Sequence, residues 1–297
     1  MKIKETRSDR VFNIVNITLL LILLAVLLYP LYLVLISSLS DPEMVSTGKV
    51  LLYPRGVSFT AYEMVFRNEH ILRGYAYTMF YTIFGTAVNL LLTLPAAYAL
   101  TKRCIKGRTF ILMAITLTMY FSGGMIPSYL NIRNLHLLNT VWAIILPGAI
   151  NTFNLILAKT FFGSIPAEIE DAALIDGASV TKMFLRIILP ISKAMVGVIM
   201  LYYLVSRWNT YYYALLYLSS APDKYPLQMV LREILINNIR NAQLLGDSSP
   251  ELAEYYAYLA NQIKYSVIVV AAVPMLILYP FLQKFFDKGV MLGSVKG

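Results

Sequence analysis

The sequence predicts an all-α, polytopic membrane protein with six transmembrane helices, and three observations carry that prediction. Apolar side chains make up 58% of the 297 residues and charged ones only 14%, whereas a soluble domain is about half apolar and about a quarter charged. The few charges are segregated, leaving uncharged runs at 11–40, 74–101, 109–132, 134–158 and 265–283, with a sixth, nearly uncharged run at 187–218. Each run reaches the roughly 20 residues that a helix needs to cross a bilayer. Third, lysine and arginine sort between the two sets of connecting segments, as they do when they fix orientation in a membrane.

The elements follow in order. A first span at about 11–38 is too long for a signal-peptide core and has no small-residue cleavage site before Ser40-Asp41-Pro42-Glu43, so it is expected to remain as an anchor. Further spans are expected at about 75–101, 109–131, 137–161, 187–217 and 264–285, with Pro30, Pro95, Pro147 and Pro274 read as kinks. One set of connections, comprising both termini, 102–108 and the loop at 163–186 after the fourth span, counted with Lys159, Lys193 and Lys284 at the adjoining span ends, holds 15 basic and 7 acidic residues; the other set, counted likewise and including a long stretch at 219–262, holds 10 and 9. The first set is therefore expected in the cytoplasm. Orientation accounts for the net charge of +9 without a nucleic acid. With no repeat period and no low-complexity linker, residues 1–297 read as a single membrane domain.

Composition also removes whole classes of chemistry. One cysteine, Cys104, and two histidines, His70 and His136, supply neither a disulfide nor a metal-ligand set. No Gly-x-x-x-x-Gly-Lys-Ser/Thr is present to cradle ATP phosphates, since the Gly123-Gly124 pair lacks the lysine and the hydroxyl. No span carries a Ser-His, Cys-His or paired-carboxylate set, so an enzyme is not expected.

The information lies in the 163–186 loop. Ser164 and Pro166 suit a helix start, and Glu168, Glu170 and Asp171 fall in its first turns, where the helix dipole favours negative charge. Asp176-Gly177 should break that helix, and Ser179 or Thr181 can cap a second one leading to Pro190. The expected product is a bent helix pair lying across the inner membrane surface. Helix signals alone leave open a plain interfacial helix without a partner.

The full pattern is more specific. Asp171-Ala172-Ala173-x-x-Asp176-Gly177-Ala178, then Phe184 and Ile187-x-Leu189-Pro190, resembles the EAA motif of bacterial ABC importer permeases, the coupling helix that docks on a cytoplasmic ATPase. The tail around Gly293, Val295, Lys296 and Gly297 is similar to the Gly-Ala-Val-Lys-Gly terminus of maltose-transporter-type sugar permeases, with Ser294 in place of alanine. The runs 225–235 and 121–127 resemble the branch of that family serving oligosaccharide importers. The family's usual glutamate is Asp171 here, with Glu170 beside it as the alternative ATPase contact.

The resemblance implies a type I ABC importer permease fold and a multi-pass chain of the bacterial cytoplasmic membrane. It implies a second permease, two ATPase subunits that use ATP and Mg in trans, and an extracytoplasmic solute-binding protein, with no cofactor bound by this chain. Glu170, Asp171, Ala172, Ala173, Asp176, Gly177, Ala178, Phe184 and Pro190 are then the coupling residues, and Gly293, Val295, Lys296 and Gly297 the tail contact with the ATPase. A secondary transporter driven by an ion gradient is the alternative, but no acidic residue occupies a span to bind a coupling ion.

Polar residues inside the spans offer a substrate path. By helical spacing Asn151 and Asn154 share a face of the fourth span with Pro147, and Trp208, Tyr211 and Tyr212 share one of the fifth. Amides also pair helices, and tyrosines also form interfacial belts. Aromatic rings and amides nevertheless suit the C–H faces and hydroxyls of an oligosaccharide. Arg207, at the outer end of the fifth span, either snorkels to the headgroups or attracts an acidic sugar.

Overall fold

The computed structural model describes residues 6–67, 69–245 and 250–293, and among them all regular structure is helical. In chain order the helices are α1 (Arg7–Ser38), α2 (Pro42–Ser46), α3 (Thr60–Arg67), α4 (Glu69–Ala99), α5 (Arg108–Tyr120), α6 (Met125–Asn134), α7 (Trp142–Ile145) and α8 (Thr152–Phe162). There follow α9 (Ala167–Ile175), α10 (Val180–Met183), a π-helical turn at Phe184–Ile188, α11 (Leu189–Ile191), α12 (Lys193–Trp208), α13 (Tyr212–Tyr217), α14 (Leu227–Leu245) and α15 (Pro250–Gly293).

Among the described residues, three stretches are long and apolar enough to cross a bilayer: α1, α4 and the Ala257–Ile277 part of α15. Two further candidates are bent pairs. The expected span at 109–131 is α5 and α6, which meet at 117°. Ser122-Gly123-Gly124, poor helix formers in succession, separates them. The expected span at 187–217 instead starts upstream at Val180 and turns by 86° between α11 and α12. Pro190 has no N–H to return to the carbonyl four residues back, and the π turn has already widened the ladder before it. The expected span at 137–161 is short α7, an unwound stretch through Pro147-Gly148, and the 11-residue α8. The stretch 219–262, expected as a connection, is mostly helix, since it contains α14 and the beginning of α15.

The chain divides into two compact units. In the unit comprising residues up to 68 and 231–273, Thr6 and Asp9 form a reciprocal capping box at the start of α1. Most of α1 is exposed, as expected of a helix whose solvent is lipid. The segment after it folds back. The Tyr29 and Tyr32 hydroxyls donate to the Leu51 and Leu52 carbonyls at 3.2 and 2.6 Å. Gln262, fully buried, donates its amide to the carbonyls of Ser40 (2.6 Å) and Ser58 (3.3 Å).

In the unit of 69–230 and 274–297, α4 is the central column, packed against α8 and α12. Ala97 and Ala158, both with no exposed surface, allow α4 and α8 to approach closely, and Leu94, Leu155, Ile188, Ile199 and Tyr203 fill the core around them. A polar stripe runs down the same column: Thr78, Thr82, Thr86, Asn89 and Thr93 are all buried, at the spacing of one helix face. The Thr78 hydroxyl accepts the Leu227 N–H at 2.8 Å, and the Tyr81 hydroxyl donates to the Lys224 carbonyl at 2.9 Å, which ties the entrance to α14 onto α4.

Candidate functional site

The unwound stretch between α7 and α8 creates the first candidate site. Irregular backbone at membrane depth leaves carbonyls without helical partners, and it survives only when protein or a water-filled cavity satisfies them. Here two side chains do so. Arg207, 5% exposed, donates to the carbonyls of Ile144 (2.6 Å) and Ile145 (2.8 Å) and to Asn89 Oδ1 (2.8 Å). Asn89 in turn donates to the Gly148 carbonyl at 3.3 Å. A second knot lies beside it, where the Tyr203 hydroxyl pairs with Thr93 Oγ1 (2.7 Å) and accepts the Asn151 N–H (3.0 Å). Gly85 makes the arrangement possible: a Cβ there would sit 3.1 Å from Arg207 Nε and 3.2 Å from Cδ.

These groups form one wall of a cavity of about 530 Å³. Asn89, Asn151, Asn154, Tyr202, Tyr203, Ser206, Arg207, Asn209, Thr210, Tyr211, Tyr212 and Tyr213 line it, together with the Pro147-Gly148 turn. The lining is amide, hydroxyl and aromatic, with one cation. Arginine is always charged in proteins, and among the described residues the three hydrogen-bond acceptors of Arg207 are neutral oxygens. An uncompensated buried charge projects a positive field into a low-dielectric space.

Of the residues expected on a substrate path, Asn151, Asn154, Arg207, Tyr211 and Tyr212 meet at this cavity. Trp208 does not. It is 1% exposed at the end of α12 and is absent from the lining. The expected common faces also fail to form as continuous helix faces. Pro147 precedes α8, for which Asn151 is the N-cap, its Oδ1 accepting the Asn154 N–H at 3.1 Å. Asn209 and Thr210 separate α12 from α13, so Trp208 and Tyr212 belong to different helices. Sequence reasoning missed Asn89, Tyr203 and Ser206, although the Thr78-to-Thr93 stripe was a readable signal for Asn89.

The second candidate site is the 163–191 segment. The expected bent pair is present: α9 ends at Ile175, Gly177 takes φ +73°, and the Ser179 side chain caps α10 by accepting the Lys182 N–H. Ser164 has another role than the one expected, since its hydroxyl closes α8 by donating to the Phe161 carbonyl at 2.7 Å. Within the expected coupling set, Ala173 and Phe184 are buried and Ala178 packs against their cluster, so these three root the elbow. Phe184 stacks on Tyr98 at 5.0 Å and meets Phe162 edge-on at 6.1 Å, a three-ring contact that joins the π turn to α4 and α8. Asp171, Ala172, Asp176, Gly177 and Pro190 are exposed.

Glu170 forms an ion pair with Lys102 at the far end of α4, and the Lys102 Nζ lies 4.1 Å from the centre of the Tyr98 ring. Burial works against the Lys102 charge, but its interactions with Glu170 and Tyr98 together outweigh it, and its pKa is raised. Leu174, Ile175, Val180 and Leu185 are 52–86% exposed, an apolar surface on the elbow that the polar motif does not announce. Gly293 is the last residue of α15, and Val295, Lys296 and Gly297 lie outside the described residues. Among the described residues no three metal-ligating side chains of the His, Cys, Asp or Glu type gather.

In sequence and overall fold the chain is similar to several known proteins. The chain is 41% identical to protein LplC of Bacillus subtilis (strain 168) over 296 residues, 99% of this chain and 97% of that protein. It is 40% identical over 290 residues to the polygalacturonan/rhamnogalacturonan transport system permease protein YtcP of the same organism, covering 98% of this chain and 100% of the relative. Among solved structures it matches a chain from the crystal structure of a bacterial ABC transporter involved in the import of the acidic polysaccharide alginate. The TM-score is 0.83 at 36% identity, covering 96% of this chain and 100% of that chain. Residues 56–292 match the model of the binding-protein-dependent transport system inner membrane component, and the chain belongs to that family.

Proposed function

We propose that the chain is the permease subunit of an ATP-driven sugar importer and forms one half of the path for an acidic oligosaccharide. The observation that carries the reading is Arg207, a buried cation held, among the described residues, by neutral oxygens at the wall of a cavity lined with tyrosines and amides. A guanidinium fork binds carboxylate better than any other side chain does. Tyrosine rings offer faces to sugar C–H groups, and asparagines offer donors and acceptors to hydroxyls. Many weak contacts suit a path that must release what it binds. The names of YtcP and of the alginate importer agree with a sugar cargo, in the second case an acidic one.

The remainder of the assembly follows from the same reading. Six spans carry both termini on the cytoplasmic side of a bacterial inner membrane, supported by the 15 basic and 7 acidic residues on one set of connections. A second permease completes the path, and an extracytoplasmic solute-binding protein delivers the sugar. Two ATPase subunits receive the exposed elbow, with Asp171, Ala172, Asp176 and Gly177, and the tail with Gly293, Val295, Lys296 and Gly297. Pushing on the elbow moves α4, α8 and α12, because its root is buried in their shared core.

The test is uptake by the reconstituted complex of an oligouronide against a neutral oligosaccharide of equal length. Tyr212→Ala, at a half-exposed position, is expected to lower uptake several-fold with basal ATPase activity retained. Arg207→Gln should impair the acidic substrate far more than the neutral one, and Arg207→Lys less than Arg207→Gln. Equal effects of Arg207→Gln on both substrates, with normal transport by Tyr212→Ala, would move the path to the partner permease.

A further inference from the structure

The elbow covers a second cavity that the transport reading leaves unused. It measures about 540 Å³ and lies between the end of α4, the turn after it, α9 and the α10–π segment. Its lining is almost wholly apolar, contributed by Pro95, Ile105, Leu174, Met183, Phe184 and Leu185. Leu174 and Leu185 are more than half exposed, so the groove is open along one side. Of the four acids on the elbow, Glu168, Glu170, Asp171 and Asp176, only Glu170 reaches the lining, and Lys102 neutralises it there.

The rim is basic. The turn at 102–108 carries Lys102, Arg103, Lys106 and Arg108 and no acid. Arg108 is engaged with the Thr101 carbonyl at 2.8 Å and Lys102 with Glu170, while Arg103 and Lys106 are exposed and flank the lining residues Cys104 and Ile105. A greasy slot with cations at its mouth, at the end of a membrane-crossing helix, has the polarity of one phospholipid: acyl chain inside, phosphate at the rim. A zwitterionic lipid brings the same phosphate but also a cationic group that the rim repels, so a headgroup of net negative charge gains more from the two cations.

We propose that this groove binds an anionic phospholipid, with an acyl chain against Leu174 and Met183 and the headgroup phosphate on Arg103 and Lys106. The occupant sits directly beneath the elbow, so the leaflet's composition acts on the element that receives the ATPase stroke. The site is independent of the sugar path, from which it shares no lining residue.

Cys104, the single cysteine and exposed at the rim, supplies the reporter. The full chain, labelled there with a fluorophore, is reconstituted into phosphatidylcholine vesicles holding a small fraction of either brominated phosphatidylglycerol or brominated phosphatidylcholine. Quenching is expected to be several-fold stronger with the anionic lipid. Arg103→Gln with Lys106→Gln should erase that preference. Leu174→Trp, at a half-exposed position that tolerates bulk, should narrow the slot and reduce quenching by the anionic lipid. Equal quenching by the two lipids overturns the proposal, as does a preference unaffected by either variant. Loss of the preference when the ATPase subunits are added would assign the groove to a protein partner and overturn it equally.

Discussion

Gly177 turns the elbow, and the structure separates two reasons for a glycine there. A Cβ built there meets nothing within 4 Å, so a side chain has room; the constraint is φ +73°, in the left-handed region. An L-residue pays about 1–2 kcal/mol to enter that region, which is a factor of roughly 5 to 30 in the balance between the bent and the opened pair. Asparagine enters it more readily than other non-glycine residues, and a β-branched side chain least readily. The expected order of damage is therefore Asn, then Ala, then Val, although Asn is larger than Ala. The assay is substrate-stimulated ATPase activity and uptake in the reconstituted complex, normalised to the amount of inserted permease. Gly177→Val should insert normally and abolish both, while Gly177→Asn keeps much of each. An order that follows side-chain size, with Asn worse than Ala, would refute the backbone argument and point to a surface pressed against the partner. Normal transport by Gly177→Val would remove the turn from the mechanism.

Three further outcomes are expected. Trp208→Ala should destabilise the chain by about 3–5 kcal/mol, the cost of deleting a buried aromatic, read as earlier loss of the monodisperse complex on heating; a stable variant with selectively reduced uptake would return Trp208 to the path. Lys102→Glu and Glu170→Lys should each weaken ATPase stimulation, and the double exchange should restore it, for a pair contributing on the order of 1 kcal/mol; failure of the exchange to rescue would mean that Glu170 acts on the partner instead. With Cys104 changed to serine, cysteine at Lys106 should resist a membrane-impermeant thiol reagent in intact cells while cysteine at Asn68 or Ser248 is labelled, and the reverse would invert the topology.

What could be read from the sequence was whatever a local pattern encodes. The Asp176-Gly177 turn and the cap at Ser179 need only their neighbours, and both form as expected. The apolar runs coincide largely with helical stretches, but their breaks were not read. Ser122-Gly123-Gly124 and Pro147-Gly148 were visible, yet a weak helix former bends or merely softens a helix according to what packs against it. Arg207 was the furthest from legible. Its partners are backbone carbonyls 62 and 63 residues away and an asparagine 118 away, and every residue owns a carbonyl. Only the knowledge that α7 stops short reveals which carbonyls are left over. Glu170 illustrates the same limit, since its partner Lys102 is 68 residues distant and the motif alone leaves it facing outward.

Under the proposed coupling, the π turn at Phe184–Ile188 sets the direction in which force is delivered. Relative to an α-helix, such a turn holds one residue in excess. Each residue of an α-helix advances the chain by about 1.5 Å and rotates it by about 100°. Removing one residue from this stretch would restore regular winding while swinging everything before it about a quarter-turn around the axis. Every side chain would keep its chemistry, and the elbow would arrive facing a different azimuth. On that proposal the drive train is phased as well as connected, and an insertion or deletion of a single residue here is a change of gear timing that no substitution can imitate.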